Sequence, residues 1–545
     1  MRWKRLQNVE NRPWTKYYKE NERIEIPEMS LYQLLEQSVA AYGDKTAIIY
    51  DDENTSYRQL KEQVDLLAGA WKQLGFQKGE RIGLMLANHP DYVICYYAAQ
   101  ALGLTVVQIN PMYTPRELLQ IVNDSTVSYI VGDPVARKTI EDVHEIYGFK
   151  YLIGSQIESW GSNKFKSLDE LILFSSPLEE CAKLDVHEDI AVIQYTGGTT
   201  GKMKGAMLTH YNLVSNVVQS HAMYGDIMVK GEETVLAATP LYHVYAMTSG
   251  MNLGIYIGAR LLLIRKFDVT DVLEKIKKYQ PTFFPGVPQM YIAFLHHPKV
   301  KEYGLDSFKT CTSGSAPLPV EVLKRFEELT GASIGEGFGL SEASPTTHRN
   351  PPFAARKVGS IGIPMPDTDC QIIDDHGNKL GTKSVGELLI KGPQVMKGYW
   401  GNEEETKASL QNGWLHTGDL AMMDDDGYFY IVGRKKEMII VGGFNIYPQE
   451  IEGVLYEYPD IQEAAVAGIP HEKHGEIVKA FVVPKKGSQI DLDELKGYCY
   501  SKLTPYKVPK SFEIRESLPR NTVGKLLKRL LVKEELEKEA NKNAD

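Results

Sequence analysis

The run from Tyr195 to Gly205 packs four glycines, three threonines and two lysines into a short stretch directly behind an apolar segment, residues 190–195. Glycines let backbone N–H groups approach an anion closely, and threonine hydroxyls with lysine ammonium groups add donors and charge. A loop of this composition after a buried strand needs a rigid α/β scaffold to hold it, and the preceding residues read that way. Helical spacing at residues 31–41, 57–74 and 92–102 alternates with strand-like runs at 46–50, 81–87, 106–109 and 127–131. Thr114, Pro115 and Glu117 supply an N-cap, a first-turn proline and a capping-box acid for a helix over 114–124. Strands alternating with helices of this length predict βαβ units and parallel sheet. The loop is not the nucleotide-hydrolase motif, which needs four residues between its glycine and the Gly-Lys pair, then Ser or Thr. Gly197 to Gly201 leaves three, and Met203 follows Lys202.

Beyond residue 355 the texture changes. Short strand-like pieces at 370–373 and 387–391 are separated by turn clusters such as 374–378, which predicts a β-rich module. From Lys436 onward a smaller α+β unit is expected, with a helix from Pro448, strands near 463–468 and 478–483, a helix at 491–502 and a charged helix at 524–540.

Composition narrows the function classes. The 545 residues carry 61 Lys+Arg against 71 Asp+Glu, a net charge of −10, which argues against a dedicated nucleic-acid binder. Five scattered cysteines without a CxxC pair make a disulfide framework or structural zinc a poor reading and reduced cytoplasmic thiols a good one. The segment 471–474 is not HExxH, because its second histidine comes one position early. The N-terminal residues are basic without an apolar stretch behind them, and no run is long and apolar enough for a transmembrane helix. A cytoplasmic protein is expected, with peripheral contact at the inner face of a membrane compatible with it; a homodimer is a further expectation.

Five more motifs follow the loop in order. They are Pro240-Leu241-Tyr242-His243-Val244-Tyr245, Ser313-Gly314-Ser315-Ala316-Pro317-Leu318, Gly337-Phe338-Gly339-Leu340-Ser341-Glu342, Trp414-Leu415-His416-Thr417-Gly418-Asp419, and the string 433–452 completed by residues 519–525. Together with Thr196, Gly197, Gly198, Thr199, Thr200, Gly201 and Lys204, this ordered set resembles the adenylate-forming superfamily, and most closely its bacterial long-chain fatty acid–CoA ligases.

The resemblance implies an α/β chain whose N-terminal domain, residues 1–434, has two α/β subdomains and a β-rich one, followed by a mobile α+β domain, residues 435–545. It implies ATP-dependent activation of a medium- or long-chain fatty acid to acyl-AMP, then transfer to CoA. In that reading the glycine–threonine loop, Gly314, Ser315, Ala316, Gly337, Phe338, Gly339, Ser341, Asp419 and Arg434 bind ATP. Thr196 and Glu342 hold Mg²⁺, a hard cation that prefers oxygen ligands. Lys525 is the catalytic lysine, and His243 and Glu342 join it at the reacting centre. Lys436 is a hinge, while Gly442, Gly443 and Phe444 line the thiol channel. His243, Met247 and Gly339 face the acyl group. Gly339 is expected to open a wall that acetate-activating relatives close with an aromatic. Two departures stand out: Met247 lies where some long-chain relatives have a tryptophan gate, and Met203 replaces a proline. An aryl-acid–CoA ligase, a ligase loading a carrier protein, and a nonenzymatic nucleotide-binding regulator are the alternatives.

Overall fold

The computed structural model describes residues 12–18, 23–156, 164–197, 203–316, 318–352, 354–441, 444–471, 475–520 and 525–542. Two compact units emerge: Met1–Asp369 with Ile390–Leu415, and Cys370–Leu389 with His416–Asp545.

The first unit is built on two large sheets. One has eight strands, with Ile190–Gly197, Thr105–Gln108, Arg81–Met85, Tyr129–Gly132, Tyr151–Gly154 and Lys166–Ser167 side by side and parallel. Met203–Thr209 closes one edge antiparallel to Ile190–Gly197, and Gly398–Tyr399 pairs outside it. The other has nine strands, parallel from Ser333–Gly339 through Thr310–Ser313, Phe283–Gly286, Thr234–Ala237 and Arg260–Leu263 to Thr46–Tyr50. Antiparallel strands finish both edges, Thr346–Arg349 and Ile363–Pro364 at one and Glu53–Ser56 at the other.

Both faces of these sheets are covered, so their strands are apolar nearly throughout. Alternate residues go to different cores. Val106 and Val192 pack into a cluster that also takes Val235 and Leu261 of the second sheet, whereas Val107 and Ile193 face the helices Pro115–Ser125 and Arg137–Tyr147. Helices Tyr57–Gln73 and Pro90–Leu102 fill the shared central cluster, and a third cluster around Phe284, Cys311 and Ile334 lies on the far face of the nine-stranded sheet. Local chemistry agrees with the tertiary fold. Ser30, Ser56 and Thr114 each form a complete capping box at the N-terminus of their helix. Strand Glu53–Ser56 escapes the sequence pattern because it is polar and half exposed, as an edge strand can be.

In the second unit, strands Gly386–Lys391, Trp414–Met423 and Phe429–Arg434 belong to a small sheet. A separate five-stranded sheet follows, in which Gly475–Pro484 is central and forms a long hairpin with the edge strand Ile461–His471. Helices Pro448–Tyr456 and Leu492–Lys502 cover one face through Ile451, Leu455, Leu495 and Cys499. Leu531 of the terminal helix Lys528–Lys542 packs on the other face against Ala465 and Phe481.

Candidate active site

Four of the motifs, those at 195–205, 240–245, 313–318 and 337–342, follow the C-terminal ends of parallel strands within the first unit, where α/β sheets bind ligands. Thr196 and Gly197 end their strand, and Gly197 is paired with Met203, Thr196 with Lys204. The described flanks of the phosphate-loop candidate are therefore paired antiparallel strands, unlike the strand-to-helix flanks of a nucleotide-hydrolase loop. Gly198, Thr199, Thr200 and Gly201 lie outside the described residues.

Lys204 leaves the hairpin toward the helix Glu403–Ser409, pairs with Glu405 and lies 5.3 Å over the Tyr399 ring. The Tyr399 hydroxyl donates to Glu342 Oε1 at 2.8 Å. Glu342 sits on the single turn Ser341–Ala343, pinned from the other side by Met396 N–H donating to its backbone carbonyl at 2.8 Å. Two motifs about 140 residues apart are thus joined through one aromatic side chain that neither contains. Burial first, then the Glu342 charge, holds the Tyr399 phenol well above its ordinary pKa, so it remains a donor.

Among the described residues no group of three or more His, Cys, Asp or Glu gathers as a metal cluster. Glu342 nevertheless suits Mg²⁺. One carboxylate oxygen is fixed by Tyr399, and the other is a hard ligand of the kind Mg²⁺ takes singly, completing its shell with phosphates and water.

On the nine-stranded sheet, Gly314, Ser315 and Ala316 turn out of strand Thr310–Ser313, with Ser315 in the left-handed region at φ 69°. A Cβ on Gly314 would stand 3.0 Å from the Tyr245 ring, so the turn is small because an aromatic lies on it. Tyr245 is held there by a 2.6 Å hydrogen bond to Thr312 Oγ1, and burial raises its pKa. His243 is half buried, and its Nδ1 accepts the Tyr245 backbone N–H at 3.4 Å, which assigns the proton of the neutral ring to Nε2. Met247 is fully buried at the start of the π-helical turn Ala246–Asn252, a local irregularity of the kind common at functional sites.

Gly337, Phe338 and Gly339 end the next strand, with Phe338 edge-on to His348. Gly339 is exposed, and the backbone beside it sets its own demand for glycine. A Cβ at Gly339 would meet the Pro345 carbonyl oxygen at 2.4 Å, so glycine is required by the close return of the backbone. Glu336, just upstream, has its carboxyl pushed up to about 7 by burial, against a weak 3.4 Å hydrogen bond from Gly359 N–H.

In the second unit Asp419 and Arg434 face each other across paired strands and form a 3.0 Å ion pair. Lys436 is exposed in the single turn Lys435–Glu437, and its neighbour Lys435 binds Asp375 at 3.0 Å. Phe444 is 56% exposed and stacks on Tyr506 at 4.7 Å. Gly442 and Gly443 lie outside the described residues. Lys525 is exposed beside the bridge between Arg520 and Leu526. Tyr399, Glu405 and Thr312 were not legible as site residues, because nothing in their local spacing marks them.

Residues 35–400 match the family described as AMP-binding enzyme, and residues 450–525 match the AMP-binding enzyme C-terminal domain. A long-chain-fatty-acid–CoA ligase from Bacillus subtilis (strain 168) is 42% identical, covering 96% of this chain and 98% of that protein. Among solved structures, an ATP-bound RpMatB–BxBclM chimera superposes with a TM-score of 0.86 at 29% identity, over 93% of this chain and 99% of the other. The anthranilate CoA ligase AuaEII in complex with anthranoyl-AMP gives 0.85 at 25% identity, over 93% and 97%.

Proposed function

The chain belongs to the AMP-binding enzyme family, and from that premise we propose that it activates a medium- or long-chain fatty acid with ATP and transfers the acyl group to CoA. The observation that carries this reading is the convergence of Lys204 and Glu342 on Tyr399, which brings the glycine–threonine hairpin and the Gly337–Glu342 motif to one place.

Two half-reactions share the site. A carboxylate oxygen attacks the α-phosphorus of ATP and pyrophosphate leaves; the CoA thiol then attacks the acyl carbon and AMP leaves. The first step sets one anion against another, so charge neutralisation and alignment dominate. Mg²⁺, held by Glu342 and Thr196, would supply Lewis-acid charge at the phosphates. Backbone N–H groups and hydroxyls of residues 196–201 would cradle the phosphates, with Lys204 moving between Glu405 and the nucleotide. His243 Nε2–H would orient the acyl carboxylate. Gly314, Ser315, Ala316, Gly337, Phe338, Gly339 and Ser341 would bound the adenine and acyl groups, with Met247 deeper on the acyl side. Asp419 would accept from the ribose hydroxyls while Arg434 steadies its carboxylate. Lys525 would neutralise the attacking and bridging oxygens. The second step asks little of acid–base groups, because adenylate leaves readily and a thiol ionises only modestly above neutrality.

Lys525 near the phosphates and a thiol at the same carbon are competing demands. We place a hinge at Lys436, between residues 1–434 and a swinging 435–545, with Gly442, Gly443 and Phe444 lining the thiol path after the swing. This boundary concerns where the backbone rotates, and differs from the grouping by compactness, which puts residues 416–434 with the C-terminal unit. No described helix is long and apolar enough to cross a membrane; we place the enzyme in the cytoplasm, drawing its acid from a membrane surface.

The test is pyrophosphate release against a panel of carboxylic acids, with CoA-dependent AMP release alongside. Fatty acids should give both, and Lys525→Ala should lose adenylation yet still convert preformed acyl-adenylate with CoA. Adenylation at the wild-type rate in that variant would remove Lys525 from the mechanism. An aryl acid is the second reading, favoured by the likeness to a ligase holding anthranoyl-AMP; release with benzoates and none with fatty acids would select it.

A further inference from the structure

The segment that leads into His243 is held from outside its own sheet. Strand Thr234–Ala237 belongs to the nine-stranded sheet, and residues 238–242 run on from it, outside any helix or strand, to His243. Asn88 belongs to the eight-stranded sheet's side, in the turn between strand Arg81–Met85 and helix Pro90–Leu102, and is 3% exposed. Its side chain makes three hydrogen bonds, all to the backbone of 237–241. Nδ2 donates to the Ala237 carbonyl at 3.1 Å and to the Thr239 carbonyl at 3.0 Å, and Oδ1 accepts the Leu241 N–H at 2.7 Å. The Tyr92 hydroxyl, from the same helix that follows Asn88, donates to the Leu241 carbonyl at 2.9 Å. Thr239 is also tied within its own sheet, where its hydroxyl donates to the Pro285 carbonyl at 2.8 Å.

Two carbonyls and one N–H, at alternate residues, ask for two donors and one acceptor from a single compact group. A primary amide supplies that set, whereas a carboxylate has no donor and a hydroxyl has one. Thr239 and Leu241 are buried, and among the described residues Asn88 is the one hydrogen-bond partner of the Thr239 carbonyl and of the Leu241 N–H. Buried backbone groups left unpaired are strongly disfavoured, so without the amide this segment must shift to find other partners. The shift would reach His243 directly. Its N–H donates to the Pro240 carbonyl at 3.1 Å, closing a turn over 240–243, and its own carbonyl accepts the Met247 N–H at 3.0 Å. The imidazole therefore leaves a backbone clamped upstream by Asn88 and downstream by the helical turns. Loosening one clamp while the other holds turns the ring away from its aim.

We propose that Asn88 is the positioning residue for His243, fixing the turn 240–243 so that the imidazole meets the acyl carboxylate in the geometry that adenylation needs. Asn88 acts through the backbone of its neighbour in space and touches no substrate. The proposal rests on the acid–CoA ligase reading and on the place given there to His243.

The experiment is a double-mutant cycle on the full-length enzyme: wild type, Asn88→Ala, His243→Ala and the double variant. Each is assayed for single-turnover pyrophosphate release with a fatty acid, Mg²⁺ and ATP, and for CoA-dependent conversion of preformed acyl-adenylate. Asn88→Ala should lower the adenylation rate by about tenfold or more, since small misplacements at a reacting centre are costly. The KM for ATP and the conversion of preformed acyl-adenylate should stay near wild type. In the His243→Ala background the same substitution should change adenylation by less than about twofold, because two residues that act as one unit do not add. Equal fold-losses with and without His243 would overturn the proposal, as would equal loss of both half-reactions in Asn88→Ala, the mark of general damage to the fold. Asn88→Asp keeps the shape and the acceptor for Leu241 N–H but sets a carboxylate against two carbonyls; it should also lose adenylation, and it carries the cycle if Asn88→Ala does not fold. Wild-type adenylation in Asn88→Asp would count against the cradle and overturn the proposal. An unaffected His243→Ala would remove His243 from the step and this inference with it, while wild-type turnover of fatty acids keeps the ligase reading. No release from the wild type with any carboxylic acid sinks both.

Discussion

Tyr399→Phe removes one oxygen from the junction between the two phosphate-side motifs and keeps everything else. The ring remains, so the Lys204 ammonium keeps its seat 5.3 Å above it. What is lost is the 2.8 Å hydrogen bond to Glu342 Oε1. Bonds to charged acceptors are worth about 1.5–3 kcal/mol. Tyr399 itself is 7% exposed, but Glu342 is only half buried, so water can recover part of the loss; the lower end, about 1.5 kcal/mol, is the better figure. At about 1.4 kcal/mol per decade this is roughly a tenfold fall in the rate of adenylation. The assay is pyrophosphate release under single turnover at several Mg²⁺ concentrations. A loosened carboxylate should raise the Mg²⁺ needed for half-maximal rate, while CoA-dependent conversion of preformed acyl-adenylate stays near wild type. An unchanged Mg²⁺ requirement together with an unchanged adenylation rate would refute the positioning role of Tyr399 and, with it, the assignment of Glu342 to the metal.

Glu336→Gln should stabilise the protein increasingly as pH rises. The folded carboxyl sits at about 7, above its ordinary 4.5, so its favourable protonated state is complete below that lower value and is lost as pH climbs through the upper one; the Tm difference between variant and wild type, read from pH 4 to 8, should grow in the variant's favour. Gly339→Ala drives a Cβ to 2.4 Å from the Pro345 carbonyl oxygen, and the resulting strain should cost about 1–3 kcal/mol in a denaturant titration, with adenylation falling alongside; wild-type stability would show that the two backbones part easily. Lys436→Pro restricts φ at the proposed hinge and should spare adenylation while reducing thioester formation; equal loss of both half-reactions would remove the hinge from that residue.

Much of the first unit was readable in advance. The helices observed over 31–42, 57–73 and 90–102 follow from local spacing, and the capping box at Thr114 and Glu117 is present as the residues predict. The C-terminal helices and the 461–484 hairpin were also visible, within a few residues at their ends. Pairing between distant strands was not. Nothing local says that Thr46–Tyr50 lies beside Arg260–Leu263, because parallel neighbours are chosen by which apolar faces fit once the helices have covered both sides.

The candidate site divides the same way. Residue identity along the chain was enough to collect the glycine–threonine loop, His243, Glu342, Asp419, Arg434 and Lys525 into one ordered set, since each motif is contiguous and its chemistry resides in the side chains present. Only the tertiary structure decided what each of those groups touches. It put Tyr399 between Lys204 and Glu342, laid Tyr245 on Gly314, brought the Pro345 carbonyl against Gly339, and buried Arg349 between Gly335 and Tyr224. These relations depend on close packing between segments far apart in sequence, where a few tenths of an ångström separate a contact from a clash. The net charge of −10 is a property of composition alone; which cations are buried and which anions they can hold is a property of the fold.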